Sequence, residues 1–398
     1  MKISQLGSII LNVLLCKREN NLTVEIAMSR INVTRPSMPL FDEYIEELRK
    51  IWESRWLSNR GETAIRFEDE LKKYFHCDRL WLFANGHTAL ETALQALSIN
   101  KNSCIDKKSE IITTPYTFVS TTEAIVRNGF KPVFVDVRED NLTIDPLLIE
   151  KSITQNTIAI VATHVYGFMC DVFTIERIAK KHNLIVIYDA AHAFGVKYND
   201  ISVANYGDAV MFSTHATKVF HTIEGGILTY KDENIFGPVK KLINFGFDGE
   251  EDVKYIGENG KMNEFEAAMG ICNLRHIDDE IAKRKKINDY YTERLRDVAG
   301  IKLLQPTDAL EWNYAYYPVI FDGYKETRDE IKTKLETENI FVRKYFYPIT
   351  TQLTCFADDY GNINLPVAKY ASKNILSLPM YADLSIEDVE RICNIILR

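Results

Sequence analysis

Four short segments of this sequence carry residue types that could do chemistry together. The first is Asn85-Gly86-His87, between an apolar run and a helical pattern that begins near Thr88. Backbone N–H groups at the start of a helix make a seat for phosphate. The second is Asp189, at the end of Leu184-Ile-Val-Ile-Tyr188 and ahead of Ala190-Ala191-His192. The third is Lys218, closing Phe212-Ser-Thr-His-Ala-Thr-Lys218 behind another apolar run. A lysine on such a turn can point into a cleft, where desolvation lowers its pKa and frees a nucleophilic amine. The fourth is Glu224-Gly225-Gly226, read as a flexible turn that lets backbone approach a ligand. Each has a plainer reading alone: glycine suits any strand-to-helix turn, an acid caps the next segment, and most lysines are solvated. In this order, a phosphate turn, a buried acid and a nucleophilic lysine make a pyridoxal phosphate site. The acid keeps the ring nitrogen protonated, so the ring acts as an electron sink.

The elements that must hold these residues are legible in the pattern. Strands are expected at Arg79–Ala84, Glu110–Thr114, Pro132–Asp136, Thr157–Ala162, Leu184–Tyr188 and Ala209–Phe212. Their continuous β-branched and apolar character suits strands buried on both faces by helices. Thr88 to Leu97 has apolar residues at helical spacing, and Asp145-Pro146 reads as an N-cap followed by proline at the first helical position. The expected fold class is α/β, with a mostly parallel sheet sandwiched by helices and ligands at the carboxyl ends of its strands. After about residue 275 charged helical segments appear (Asp278 to Arg296, Thr327 to Glu338) with a strand at Tyr314–Phe321, the expected pattern of a smaller α+β domain. The expected division is therefore 28–275 as a large domain with an N-terminal arm and 276–398 as the small one. Residues 1–27 read as an upstream extension, because the sequence resets at Met28 and Ser8–Cys16 is too short to span a bilayer.

Composition excludes several classes. Over 398 residues the net charge is −8, the wrong sign for a nucleic-acid surface. The seven cysteines are scattered with no CxxC pair, so neither a disulfide framework nor a metal site is expected, and the setting reads as reducing and cytoplasmic. A nicotinamide-binding oxidoreductase is excluded because Asn85-Gly86 lacks the GxGxxG spacing.

The ordered motifs resemble the DegT/DnrJ/StrS sugar aminotransferases, of the fold type I pyridoxal phosphate class, from about Met28 to the C-terminus. They are Trp56-Leu-Ser-Asn-Arg-Gly61, Pro115-Tyr-Thr-Phe-Val-Ser-Thr121, Asp189-Ala-Ala-His192, Phe212–Lys218, Glu224-Gly-Gly226, Lys261-Met-Asn-Glu-Phe265 and Leu376-Ser-Leu-Pro-Met380. The resemblance implies a Schiff base on Lys218, Asp189 on the pyridine nitrogen, and His192 on the phenolic oxygen, where the family has Gln or His. It implies that Phe118 stacks on the ring and that the backbone of Gly86 and His87 and the hydroxyl of Ser213 hold the phosphate. Many members have Thr where this chain has His87. Asn244 resembles the residue that reaches the phosphate of a neighbouring subunit, which implies a homodimer with shared sites. The nucleotide sugar is expected near Trp56, Asn59, Lys261, Arg343 and Tyr345.

A dehydratase branch of this fold carries histidine in place of the lysine; Lys218 makes transamination the expected reaction, with L-glutamate as donor in a ping-pong cycle. His215-Ala-Thr-Lys218 and Arg343-Lys-Tyr-Phe-Tyr-Pro348 resemble the branch that aminates C4 of dTDP-4-keto-6-deoxyglucose for surface polysaccharide. The alternatives are a 3-amino-3,6-dideoxyhexose or aminocyclitol aminotransferase, and a regulatory protein that merely retains the cofactor.

Overall fold

Alternation along the apolar runs decides which side of the central sheet each side chain meets. The computed structural model describes residues 30–100, 109–307 and 309–398. The expected extension at residues 1–27 lies outside the described residues. Ile31–Arg398 make one compact unit. Its main sheet contains β1 (Leu80–Phe83), β2 (Glu110–Thr113), β3 (Lys131–Phe134), β4 (Thr157–Thr163), β5 (Ile185–Asp189), β6 (Ala209–Ser213) and β7 (Gly226–Tyr230). The order is β1-β7-β6-β5-β4-β2-β3. The β3-β2-β4-β5-β6 ladder is parallel, and β7 runs against both its neighbours, β6 and β1.

The helices ahead of and within this sheet are α1 (Phe41–Ser54), α2 (Glu62–Phe75), α3 (Gly86–Asn100), α4 (Val119–Arg127), α5 (Pro146–Ser152) and α6 (Val172–His182). Ile112, Ile160, Val186 and Phe212 pack with Phe67 and Phe75 of α2 and Ile175 of α6. Their immediate neighbours Ile111, Val161, Ile187 and Met211 pack with Leu90 and Leu94 of α3 and Ile125 of α4. Both faces are thus covered, as the unbroken apolar runs require. At about 1.5–3 kcal/mol for each large aliphatic side chain removed from water, these two layers supply the main favourable term. Asp145 caps α5 by accepting from the Leu147 N–H (2.9 Å), with Pro146 in the first turn.

The remainder carries α7 (Glu264–Leu274), α8 (Ile277–Leu295), α9 (Arg328–Thr337) and α10 (Ile386–Leu397). With them goes an antiparallel sheet of β8 (Ile301–Leu303), β9 (Tyr317–Phe321) and β10 (Ile375–Leu378), in that order. A separate apolar cluster joins Tyr291, Ile331 and Ile392 to Val319 and Leu376. The strand expected from Tyr314 starts three residues later. Tyr314 has φ of 53°, a left-handed conformation that breaks an extended run.

Glu264, inside one of the recognised motifs, has a structural role the sequence did not announce. Its buried carboxylate accepts from the N–H groups of Gly61 (2.8 Å) and Thr63 (2.9 Å), capping α2 from the first turn of α7. The same contact anchors the Trp56–Gly61 segment, since the Glu264 N–H donates to the Leu57 carbonyl (3.1 Å).

Glu47 is the electrostatic knot between α1, α2 and the end of α7. It is 3% exposed and is paired with Arg66, Lys50 (2.9 Å) and Arg275 (2.7 Å). Burial pushes its carboxyl up, but hydrogen bonds from Arg66, Lys50 and Arg275 outweigh that and hold its pKa at about 2. A depressed carboxyl pKa contributes stability that is full above the unfolded value of about 4.5 and is lost as pH falls toward 2. Because the cationic partners are partly solvated, the contribution is discounted to about 1–3 kcal/mol. Glu47→Gln is therefore expected to lower the unfolding free energy at pH 7 by that amount. The difference from the wild type should shrink between pH 4.5 and 2, as denaturant melts at several pH values would show.

Candidate active site

The carboxyl ends of β1, β2, β4, β5 and β6 open on a cavity of about 440 Å³. This is the edge at which parallel α/β sheets bind ligands. After β1 the chain turns at Asn85, whose side-chain oxygen accepts from the Thr88 N–H (2.8 Å) and caps α3. Gly86 and His87 then present the first N–H groups of α3, which have no partner within the helix. A side chain at Gly86 would stand 2.9 Å from the Ser213 Cβ, so the close approach of α3 to the end of β6 needs glycine there. The His87 ring lines the same wall, with Nδ1 2.8 Å from the Ser120 hydroxyl.

The loop from β6 to β7 carries Lys218 and is closed on itself. The Thr214 N–H donates to the Gly225 carbonyl (2.9 Å), and the Thr222 N–H to the Thr214 carbonyl (2.9 Å). The Thr214 and Thr222 hydroxyls meet at 2.6 Å. A Cβ at Gly225 would fall 2.1 Å from the Thr222 oxygen, and one at Gly226 2.4 Å from the Asn85 carbonyl oxygen. These glycines let the chain pack closely against itself, while Glu224 of the same turn lines the cavity. They hold the lysine loop to β7 and β7 to the turn at Asn85.

Lys218 lines the cavity, and burial lowers the pKa of its ammonium against the opposing pull of Asp189. No ion pair or hydrogen bond to its Nζ occurs among the described residues. Asp189 ends β5 and is 4% exposed. Burial raises its pKa; a hydrogen bond from Thr121 (2.6 Å), another from the Ala191 N–H (3.0 Å) and the charge of Lys218 work against that rise. His192 is buried, and burial followed by the charge of Lys218 drives its pKa well below the usual imidazole value. Its Nδ1 accepts from the Tyr166 N–H (3.1 Å), so the neutral ring carries its proton on Nε2. The aromatic neighbours Phe346 (ring centroids 5.8 Å apart, 3° between planes) and Tyr316 fix the plane of that ring. Phe118 lines the cavity at 59% exposure, which rules out the alternative that it is an ordinary core aromatic.

Eight of the residues singled out in the sequence therefore share one cavity: Gly86, His87, Phe118, Asp189, His192, Ser213, Lys218 and Tyr345. Asn59, Asn244 and Lys261 line a second cavity of about 170 Å³ with Arg60 and Trp81. There Lys261 Nζ donates to Asn244 Oδ1 (2.7 Å) and Asn259 Oδ1 (2.8 Å) and lies 5.2 Å from the Phe245 ring centroid. Trp56, 56% exposed, and Arg343, exposed with its backbone paired to Ser377, line neither of these two cavities. Thr117, Ser120, Thr163, His215, Tyr316 and Phe346 are among the other residues that line the main cavity and were missed as site residues. The first two, His215 and Phe346 sat inside quoted segments without being singled out; Tyr316 arrives from distant sequence and looks like a core aromatic in a linear reading. No cluster of metal-ligating side chains occurs among the described residues, and no described helix is long and apolar enough to cross a membrane.

These groups fit pyridoxal phosphate. An amine with a depressed pKa faces a buried carboxylate, a neutral N–H donor lies beside them, and helix N–H groups with Ser213 supply a phosphate seat at one end. The fold and the cavity are those of a pyridoxal-phosphate-dependent enzyme, and similarity to known proteins makes it a sugar aminotransferase. The chain belongs to the DegT/DnrJ/EryC1/StrS aminotransferase family, whose profile matches residues 40–397. It is 39% identical to the dTDP-4-amino-4,6-dideoxy-D-glucose transaminase of Shigella dysenteriae, over 92% of this chain and 98% of that one. It is 29% identical to the GDP-perosamine synthase of Caulobacter vibrioides, over 92% and 97%. Among solved structures, that of DesI in the presence of its TDP-sugar product superimposes with a TM-score of 0.86 at 28% identity, covering 93% of each chain.

Proposed function

We propose that this aminotransferase moves the amino group of L-glutamate to C4 of dTDP-4-keto-6-deoxy-D-glucose, giving dTDP-4-amino-4,6-dideoxy-D-glucose for surface polysaccharide. The observation that carries the reading is the full-length similarity to the Shigella transaminase, joined to an intact Lys218–Asp189 pair and the His215-Ala-Thr-Lys218 motif in one cavity. Bound pyridoxal phosphate supplies the electron sink that lets a C–H bond beside nitrogen ionise. Lys218 Nζ, desolvated and without an ion pair among the described residues, would anchor the cofactor and act as the general base and acid for the proton that leaves and rejoins carbon. Asp189 would hold the ring nitrogen protonated, and His192, whose Nδ1 already accepts from the Tyr166 N–H, would donate from Nε2 to the ring oxygen. Phe118 covers the ring face. Gly86, His87 and Ser213 take the phosphate at the head of α3.

The second cavity suits a shared site. Asn244 and Lys261 line a cavity that does not include their own chain's Lys218, and Phe245, 48% exposed, leaves apolar surface beside Lys261. In a homodimer Asn244 reaches the phosphate in the other copy, while Trp56, Asn59, Lys261, Arg343 and Tyr345 border the nucleotide sugar. Incubation with L-glutamate and a panel of 3-keto and 4-keto nucleotide sugars, with products read by mass and NMR, tests the substrate. Amination at C4 of the dTDP sugar is expected. Conversion of only a 3-keto sugar refutes the C4 reading, and conversion of none favours a regulatory protein.

A further inference from the structure

Three threonines that no part of the proposed chemistry uses line up behind Asp189. Thr121 Oγ1 stands 2.6 Å from Asp189 Oδ2, Thr117 Oγ1 3.3 Å from Thr121 Oγ1, and Thr163 Oγ1 3.2 Å from Thr117 Oγ1. All three side chains are buried, on three different stretches of chain ends: the turn after β2, the first turn of α4 and the last residue of β4. Their direction follows from the acceptor at the end. An ionised carboxylate can only accept, so the Thr121 proton is committed to Asp189. Thr121 must then accept from Thr117, and Thr117 from Thr163. Each hydroxyl in such a chain polarises the next, and the sum points at the carboxylate.

We propose that Thr121, backed by Thr117 and Thr163, is a positioning residue that keeps Asp189 ionised and aimed into the cavity for the ring nitrogen. This rests on the reading of Asp189 as the partner of that nitrogen. The need for such support is physical. A carboxylate this buried is driven toward its neutral form, and only hydrogen bonds or a cation reverse that. Among the described residues Lys218 makes no ion pair or hydrogen bond with Asp189, so its charge acts only at longer range. The hydroxyl chain and the Ala191 N–H are the fixed donors that remain.

The test compares two ligands on the full chain stripped of cofactor: pyridoxal phosphate, and its analogue with carbon in place of the ring nitrogen. Dissociation constants are measured by equilibrium titration. Thr121→Val keeps the shape and removes the donor. It is expected to weaken pyridoxal phosphate by about ten- to a hundredfold, the range for a lost hydrogen bond to a charged group, and to leave the carbon analogue unchanged. Thr121→Ser should restore most of the affinity, and Thr117→Val should give a smaller loss in the same direction. Should Thr121→Val not fold, Thr117→Val and Thr163→Val carry the same comparison. Equal weakening of both ligands means a merely structural threonine and overturns the proposal, as does wild-type binding of both. Asp189→Ala is the control. If it too binds both ligands as the wild type does, the reading of Asp189 falls and this proposal with it; if it loses only pyridoxal phosphate, a normal Thr121→Val overturns the threonine alone.

Discussion

Lys218→Ala is expected to lose turnover by at least about ten-thousand-fold, the upper end of what a positioned acid–base group provides. The same residue anchors the cofactor, so the loss extends to both half-reactions rather than one. Single-turnover measurements separate them: formation of 2-oxoglutarate from L-glutamate, and amination of the keto sugar by enzyme preloaded with pyridoxamine phosphate. Both rates should fall. The fold should survive, because the loop around Lys218 is held by Thr214, Thr222 and Gly225 and not by the lysine side chain. A variant that turns over at wild-type rates, or that fails in only one half-reaction, contradicts the dual role of Lys218.

Asp189→Asn produces the second large effect. The substitution keeps volume and can still accept from Thr121, but it cannot carry the charge that stabilises a protonated ring nitrogen. Removing one partner of a buried charge pair costs about 3–5 kcal/mol. At 1.36 kcal/mol per factor of ten, that is a loss of a few hundred- to several thousand-fold in kcat. Thermal stability of the cofactor-free protein should change little or rise, since burial already disfavours the ionised carboxylate. Wild-type kcat in Asp189→Asn contradicts the assignment, whatever happens to Tm.

The central sheet was legible because its strands are short apolar runs with both faces covered, so successive residues such as Ile111 and Ile112 are both buried. Its ends were less so. The fifth strand runs one residue past the expected Tyr188, because Asp189 still pairs in the ladder with Thr163 and Met211 while carrying a charge that apolar patterning ends on. The place of the site was legible: Lys218, Asp189, Gly86 and Ser213 line one cavity, and their roles stand as proposed. What the linear pattern could not carry were relations between distant segments. Glu264 capping α2, Thr163 meeting Thr117, and Gly226 making room for Asn85 depend on chain packing. The packing role of Gly225 and Gly226 was hidden for the same reason: glycine serves tight packing as readily as it serves motion.

The central claim is that Lys218, among all the lysines of this chain, holds pyridoxal phosphate covalently. Borohydride reduction of the cofactor-loaded protein converts the imine to a stable secondary amine, and peptide mapping by mass spectrometry then locates it. A single phosphopyridoxyl group on the peptide containing Lys218, lost in Lys218→Ala, is the expected result. Modification of a different lysine, or none after full cofactor loading, contradicts it.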